Sequence, residues 1–322
     1  MLELAAVTTV NIKSATTEPS ARRADAALPD PQQQPLPVHV LWPIDKLFIA
    51  YTTITGLLLA LAARRDPSVL LLTLCHVAAI GLIFVLARYS SEIVLFVRHW
   101  YILIYVPLCY KEVPYLVAKL GLRDADLTLL HWDRLIGGTA LVVWLGEIIQ
   151  NRVLTEFLQI IYSLFIPGMV GLSVLCWFRM SRAEFRRAGF LIAATFLLSY
   201  LGYLVLPARG PHFIPYTFQL PVLQGLWSFH FLQGAIDWLE GLQYDCFPSG
   251  HVAVVLVGCY LARRISPVVF GVFSAFSALI ALSTIYLHYH YVIDVLAGIV
   301  LAMLLMMSSR SVYKMLRQID AD

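Results

Sequence analysis

The sequence predicts an all-α protein, a polytopic membrane bundle of about six to eight transmembrane helices. Three observations carry this expectation. Apolar residues fill 60% of the 322 positions and charged residues only 13%. Soluble domains carry about 25% charge, so the charge needed for a water-facing surface is missing. Apolar runs of about 20 residues recur along the chain, and a helix of that length crosses the hydrocarbon core of a bilayer.

Taken in order, residues 1–38 are polar and small, with Pro31-Gln32-Gln33-Gln34-Pro35 near their end. They cannot bury a core and are expected to be a disordered tail. No cationic start followed by an apolar stretch marks a signal peptide. Apolar spans follow at Leu47–Ala63, Val69–Ala87, Ile93–Val117, Phe157–Phe178, Phe190–Leu206, Val252–Leu261 with its flanks, Val268–Leu287 and Tyr291–Met307. The third contains Arg98, His99, Lys111 and Glu112, and also fits a partly interfacial segment. Between the third and fourth lies an amphipathic stretch from Asp126 to Gln150, with Trp132, Asp133, Arg134 and Trp144. Aromatic residues beside charges suit a membrane surface. The membrane domain is placed at residues 39–310, its catalytic core at about 185–310, and a cytoplasmic tail at 311–322.

A net charge of +3 gives no basis for nucleic-acid binding. The few cations instead mark the cytoplasmic side. Arg179, Arg182, Arg186 and Arg187, then Arg263 and Arg264, then Arg310, Lys314 and Arg317 fall on one set of loops. The alternate loops carry Arg209, Asp237, Glu240 and Asp245, then His288 and His290, and are expected to be extracytoplasmic. Arg64 and Arg65 run against this assignment if all eight spans cross. The five cysteines, Cys75, Cys109, Cys176, Cys246 and Cys259, sit mostly in apolar runs without metal-type spacing.

Three segments then fall on one face: Pro207-Ala208-Arg209-Gly210-Pro211-His212, Pro248-Ser249-Gly250-His251 and His288-Tyr289-His290-Tyr291-Val292-Ile293-Asp294. A helix N-terminus at Ser249-Gly250 offers unpaired N–H groups and a partial positive charge to an anion. Arg209 presents a planar fork of donors suited to phosphate oxygens. His290 and Asp294, four apart, share one face of a helix, where the carboxylate holds one imidazole nitrogen and raises the basicity of the other. His251 is left to protonate a departing oxygen. Two histidines, one arginine and a helix terminus describe phosphoryl transfer without a metal or cofactor.

Each part also has an ordinary reading. Pro-Ser-Gly-His fits a helix start with Ser249 as N-cap. Arg209 fits an interfacial anchor, and a His–Asp pair is often structural. His288, His290 and Asp294 also have metal-ligand chemistry, a reading that leaves the anion site unexplained. His288 fits a wall or outer position, and His212 fits either the phosphate region or a plain loop. Tyr203 lines the same helix mouth. The loop from Phe213 to Tyr244, with Tyr216, Phe218, Trp227, Phe229, Phe231, Trp238 and Tyr244, fits an aromatic belt or a lid. Convergence of ionisable residues at one depth favours function.

The Cys246–His251 stretch, with Ser283 through His290-Tyr291-Val292-Ile293-Asp294, resembles the type 2 phosphatidic acid phosphatase superfamily. Pro207-Ala208-Arg209-Gly210-Pro211 and Asp133-Arg134-Leu135-Ile136-Gly137-Gly138 are similar to its inositol phosphorylceramide synthase branch, related to sphingomyelin synthases. The resemblance covers roughly residues 90–305. It implies His290 as a nucleophile forming a phosphohistidine, Asp294 as its orienting group, His251 as general acid, and Arg209, Ser249 and Gly250 as phosphate-binding groups.

Two positions depart from the phosphatase pattern: Gly202 stands where that pattern has Lys, and Thr284 where it has Arg. A site with fewer cations suits the single charge of a phosphodiester better than the near-double charge of a monoester. The expectation is therefore transfer of a phosphoryl or phospho-head group from a membrane lipid to a lipid or alcohol acceptor. Water as acceptor would make the protein a lipid phosphatase. A different class, a transporter or binder of phosphate-bearing lipid, uses the same polar cluster without breaking a bond.

Overall fold

The computed structural model describes residues 41–318, apart from 65, 149–150, 214–222 and 241–243. The expected tail, Arg65, Tyr216, Phe218 and the last four residues lie outside the described residues. Thirteen α-helices and no strand occur among the described residues. They are α1 (Pro43–Ala62), α2 (Leu70–Ala87), α3 (Glu92–Trp100), α4 (Ile102–Leu120), α5 (Asp126–Leu135), α6 (Gly138–Ile148) and α7 (Arg152–Ser163). Then follow α8 (Phe165–Arg179), α9 (Arg182–Val205), α10 (Phe229–Glu240), α11 (Gly250–Ala262), α12 (Pro267–Tyr286) and α13 (Val292–Gln318).

Five of these, α1, α2 with the turn before it, α9, α12 and α13, are long and apolar enough to cross a membrane. Two bent pairs, α3–α4 at 40° and α7–α8 at 46°, bring the number to seven, and α11 is a shorter apolar helix. The second bend has a local cause. Pro167 cannot donate to the carbonyl of Ser163 and its ring crowds it, so α7 ends at Ser163 and a new helix starts. The doubtful third span resolves into α3, packed through Arg98 on Asp45 where α1 begins, and α4, which runs the length of the bundle. The last helix reaches Gln318, beyond the expected boundary at residue 310.

Helix ends follow their local sequence. Ser181 and Glu184 form a reciprocal capping box at the start of α9, with N–H to oxygen distances of 3.3 and 3.0 Å. Ser266 caps α12 ahead of Pro267, and α4 stops at Gly121 in the left-handed region.

Between lipid-facing helices the hydrophobic effect gives little drive, so close approach of small residues does the packing. Ala193, Ala253, Ala262 and Ala302 are fully buried, and Gly258 packs against Met169 and Leu172. Polar pairs add to this. His76 on α2 places Nε2 2.8 Å from Glu112 Oε1 on α4.

The two ends of the bundle can be told apart by contacts. Lys46 near the start of α1 reaches the Leu316 carbonyl at the end of α13 (2.6 Å), and Arg186 at the start of α9 lies over the Trp42 ring. At the other end, Asp66 beyond α1 pairs with Lys119 at the end of α4 (2.5 Å), and Ala125 N–H bonds the Pro207 carbonyl beyond α9 (2.7 Å). Arg64 therefore shares an end with the Pro207 loop, where an eight-crossing chain puts it.

Candidate active site

The three segments singled out in the sequence meet at that second end through their backbones. Cys246 N–H donates to the Ala208 carbonyl (3.3 Å), His212 N–H to His288 (2.7 Å), and Ser249 N–H to Asp294 (3.0 Å). Each loop thus satisfies polar groups of another, which fixes their mutual register.

His290 lies just before α13, buried, with N–H bonded to the Thr284 carbonyl (3.0 Å). Its Nδ1 stands 3.0 Å from the Cys246 carbonyl. A carbonyl only accepts, so Nδ1 carries the proton and Nε2 is left with a lone pair in neutral imidazole. That Nε2 lies 3.4 Å from Nδ1 of His251. The contact requires His251 Nδ1–H as donor. The resting pair is therefore two imidazoles in contact, with the His290 Nε2 lone pair accepting the His251 Nδ1–H. His251 is wedged between Tyr162 and Phe165, with ring centroids at 4.8 and 4.5 Å.

Asp294 does not take the Nδ1 proton as a simple helical pair would. His290 precedes the first residue of α13, so helical spacing does not govern the pair. Asp294 Oδ2 is 3.6 Å from Nδ1 and instead accepts the Cys246 thiol (2.6 Å) and Tyr291 N–H (2.9 Å). Its carboxylate faces the His290 ring across a short gap. Burial, and then the Asp294 charge, push the Cys246 thiol well above its ordinary range, so it stays protonated.

Cys246, His290 and Asp294 hold candidate metal-ligand atoms within 4.8 Å of one another. The thiol is bonded to Asp294 Oδ2 and His290 Nδ1 to the Cys246 carbonyl, while Asp294 Oδ1 has no partner among the described residues.

Ser249 is fully buried and its Oγ accepts Val252 N–H (3.4 Å), the N-cap of α11. Gly250 lies against the Tyr203 hydroxyl, where a Cβ would not fit. Thr284 is buried, with Oγ1 donating to the Ala281 carbonyl (2.8 Å). Gly202 packs on Pro248, and a Cβ there would overlap its ring, so this position has no room for a long cation. The Arg209 side chain is half exposed, with Nε 3.4 Å from Asp124 Oδ2 and its guanidinium 5.4 Å from the Tyr244 ring centroid. Its backbone adjoins the site, and its fork is placed at the rim.

His288 adopts φ +65° and is buried, with no bonded partner at Nε2 among the described residues. Burial, then the neighbouring His212, lower it to about 4, so it is neutral near pH 7. His212 faces the Tyr289 ring at 5.4 Å, and burial lowers it as well. Tyr289 in turn stacks on Tyr162 at 4.4 Å.

Four supporting residues were not expected. Asp126 accepts Arg209 N–H and Gly210 N–H (both 2.9 Å) and the Tyr291 hydroxyl (2.8 Å). Asp133, two turns on, accepts Ile293 N–H at the start of α13 (2.9 Å) and the Thr139 hydroxyl (3.0 Å). Burial raises both carboxyls, Asp126 to about 6. On α7, Gln159 accepts the Tyr289 hydroxyl (3.4 Å), and Tyr162 packs on His251. The one available signal was a pair of acids seven apart in an otherwise amphipathic stretch.

The sequence pattern described as PAP2 superfamily matches residues 127–308, more than half of the chain. A PA-phosphatase related-family protein of Dictyostelium discoideum is 33% identical over 110 residues, which is 33% of this chain and 20% of that protein. The chain thus spans about a fifth of the length of the curated relative it matches. No solved structure matches.

Proposed function

Because the chain belongs to the PAP2 superfamily, whose members are phosphatases or phosphotransferases, we propose that it is a lipid phosphotransferase working through a phosphohistidine. The observation that carries this is the 3.4 Å contact between His290 Nε2 and His251 Nδ1. In the proposed first step the Nε2 lone pair attacks phosphorus. The P–N bond forms, the P–O bond to the leaving group breaks, and His251, entering this step as the imidazolium beside the bound phosphate anion, turns its Nδ1–H to the departing oxygen and is left as neutral imidazole. The His290 ring, still carrying Nδ1–H, becomes cationic, and the Asp294 charge at 3.6 Å offsets it. In the second step an acceptor hydroxyl gives its proton to His251 and attacks phosphorus, and the P–N bond breaks.

The paucity of cations supports a phosphodiester donor. Gly202 has no room for a long side chain, Thr284 is buried and neutral, and Arg209 is partly balanced by Asp124. The Pro207–Pro211 and Asp133–Gly138 stretches support the inositol phosphorylceramide synthase-like branch as the proposed placement. Membrane lipids are the proposed substrates. The arginines near the starts of α9 and α12 support a cytoplasmic position for the opposite end and an extracytoplasmic site.

The test is turnover of a head-group-labelled phospholipid by purified protein, with and without hydroxyl acceptors. Transfer to an added acceptor is expected, with at least about a 10³-fold loss in His290→Ala at unchanged melting temperature. Undiminished turnover in that variant would remove His290 as nucleophile. Label released only to water would make the protein a phosphatase, and binding without turnover in the parent would make it a binder.

A further inference from the structure

We infer that Asp126 is a positioning residue that ties the Arg209 loop to the His290 loop, so that phosphate grip and nucleophile are set by one carboxylate. The inference rests on the phosphoryl-transfer reading for its kinetic consequences, and on geometry for the tie itself. Asp126 opens α5 and is 2% exposed. Its Oδ2 accepts Arg209 N–H, and its Oδ1 accepts both Gly210 N–H and the Tyr291 hydroxyl. Tyr291 is fully buried, follows His290 in the chain, and gives its N–H to Asp294. The carboxylate is thus one residue from the guanidinium on one side and one tyrosine from the nucleophile on the other.

A carboxylate out of water is costly unless donors surround it, and here three do. None of the three is a cation, so the group is held for its shape: two oxygens in fixed positions that set two loops. Asp124 on the same segment, Arg209 beyond α9, Cys246 before α11 and Tyr291 just before α13 are the charged or titratable groups that face it among the described residues. Protonation would turn an accepting oxygen into a hydroxyl facing a donor. Burial raises Asp126 to about 6, so it is ionised above that pH and protonated below it. The tie is therefore tight above about pH 6 and loosens as pH falls through it.

The test pairs Asp126→Asn with Tyr291→Phe in the purified full chain. Asn keeps the size but sets an NH₂ group against a donor, and Phe removes only the hydroxyl. Hydrogen exchange of the segments 207–212 and 288–294 is measured alongside KM and kcat against pH. Asp126→Asn is expected to speed exchange in both segments and to raise KM about tenfold at pH 7.5. The parent is expected to show a rise in KM below about pH 6, and Asp126→Asn to abolish it. Tyr291→Phe is expected to speed exchange in 207–212, across the tie, and the double variant to be no worse than Asp126→Asn alone. Exchange confined to the mutated segment, or independent addition of the two effects, would overturn the inference. The exchange result judges the tie even if the parent shows no turnover, which would sink the phosphoryl-transfer reading instead.

Discussion

The two ends of the helical bundle handle buried carboxylates in opposite ways. At the end where α1 begins, Asp45 meets a cation. Arg98 Nη2 is 2.5 Å from its Oδ2, both groups are at most 2% exposed, and the guanidinium lies 4.1 Å from the Trp42 ring centroid. Tyr101 hydroxyl and Trp42 N–H complete the shell at 2.6 and 2.8 Å. At the site end, Asp126, Asp133 and Asp294 meet backbone amides, hydroxyls and a thiol, while Arg209 stays at the rim. A charge matched to a charge locks helices together and has little left to act on a substrate. Carboxylates bound to amides, hydroxyls and a thiol fix loop shape, and one of them, Asp294, lies 3.6 Å from His290.

This contrast predicts that the two ends respond differently to mutation. Arg98→Met leaves Asp45 buried and uncompensated, and should cost about 3–5 kcal/mol in denaturation, the largest stability effect of the set. Turnover per folded molecule should stay near that of the parent; a selective loss of kcat would erase the distinction between the ends. Gly210→Ala should do the reverse. Gly210 sits at φ +95° with its missing Cβ aimed at the Tyr289 carbonyl, so a methyl group must push the two loops apart. A shift of about 1 Å at a reacting centre lowers turnover by about 10²-fold, and the strain costs about 1–3 kcal/mol in a thermal melt. Asp133→Ala leaves Ile293 N–H without its acceptor and should cost about 1–3 kcal/mol, with a smaller fall in kcat. Ser249→Ala removes the N-cap of α11 and should cost about 1 kcal/mol. A loss of turnover much larger than that would give the hydroxyl a role on the phosphate as well.

Much of the site was legible because its parts are local. Pro248, Ser249 and Gly250 start a helix by rules that act within four residues, and Ser249 does cap it. The rarity of ionisable residues in an apolar chain drew the eye to Arg209, His251, His290 and Asp294. The tautomer of His290 was not legible, since it is decided by the Cys246 carbonyl, 44 positions away. The absence of Lys at 202 was visible, but not its reason, which is Pro248 packed against that glycine. Asp126 gave no sign of its role, because its partners at 209, 210 and 291 are remote in the chain.

The sequence by itself determined that this chain is a membrane helical bundle. Apolar run length and a shortage of charge are properties of segments, and a bilayer reads them one segment at a time. It also determined which residue types gather near one end. The tertiary structure alone decided how they meet: which nitrogen of His290 carries the proton, that Asp294 lies 3.6 Å from it, and that one carboxylate on α5 holds two loops. Hydrogen bonds form between neighbours in space, and only the packing of α5, α9, α11 and α13 makes those residues neighbours.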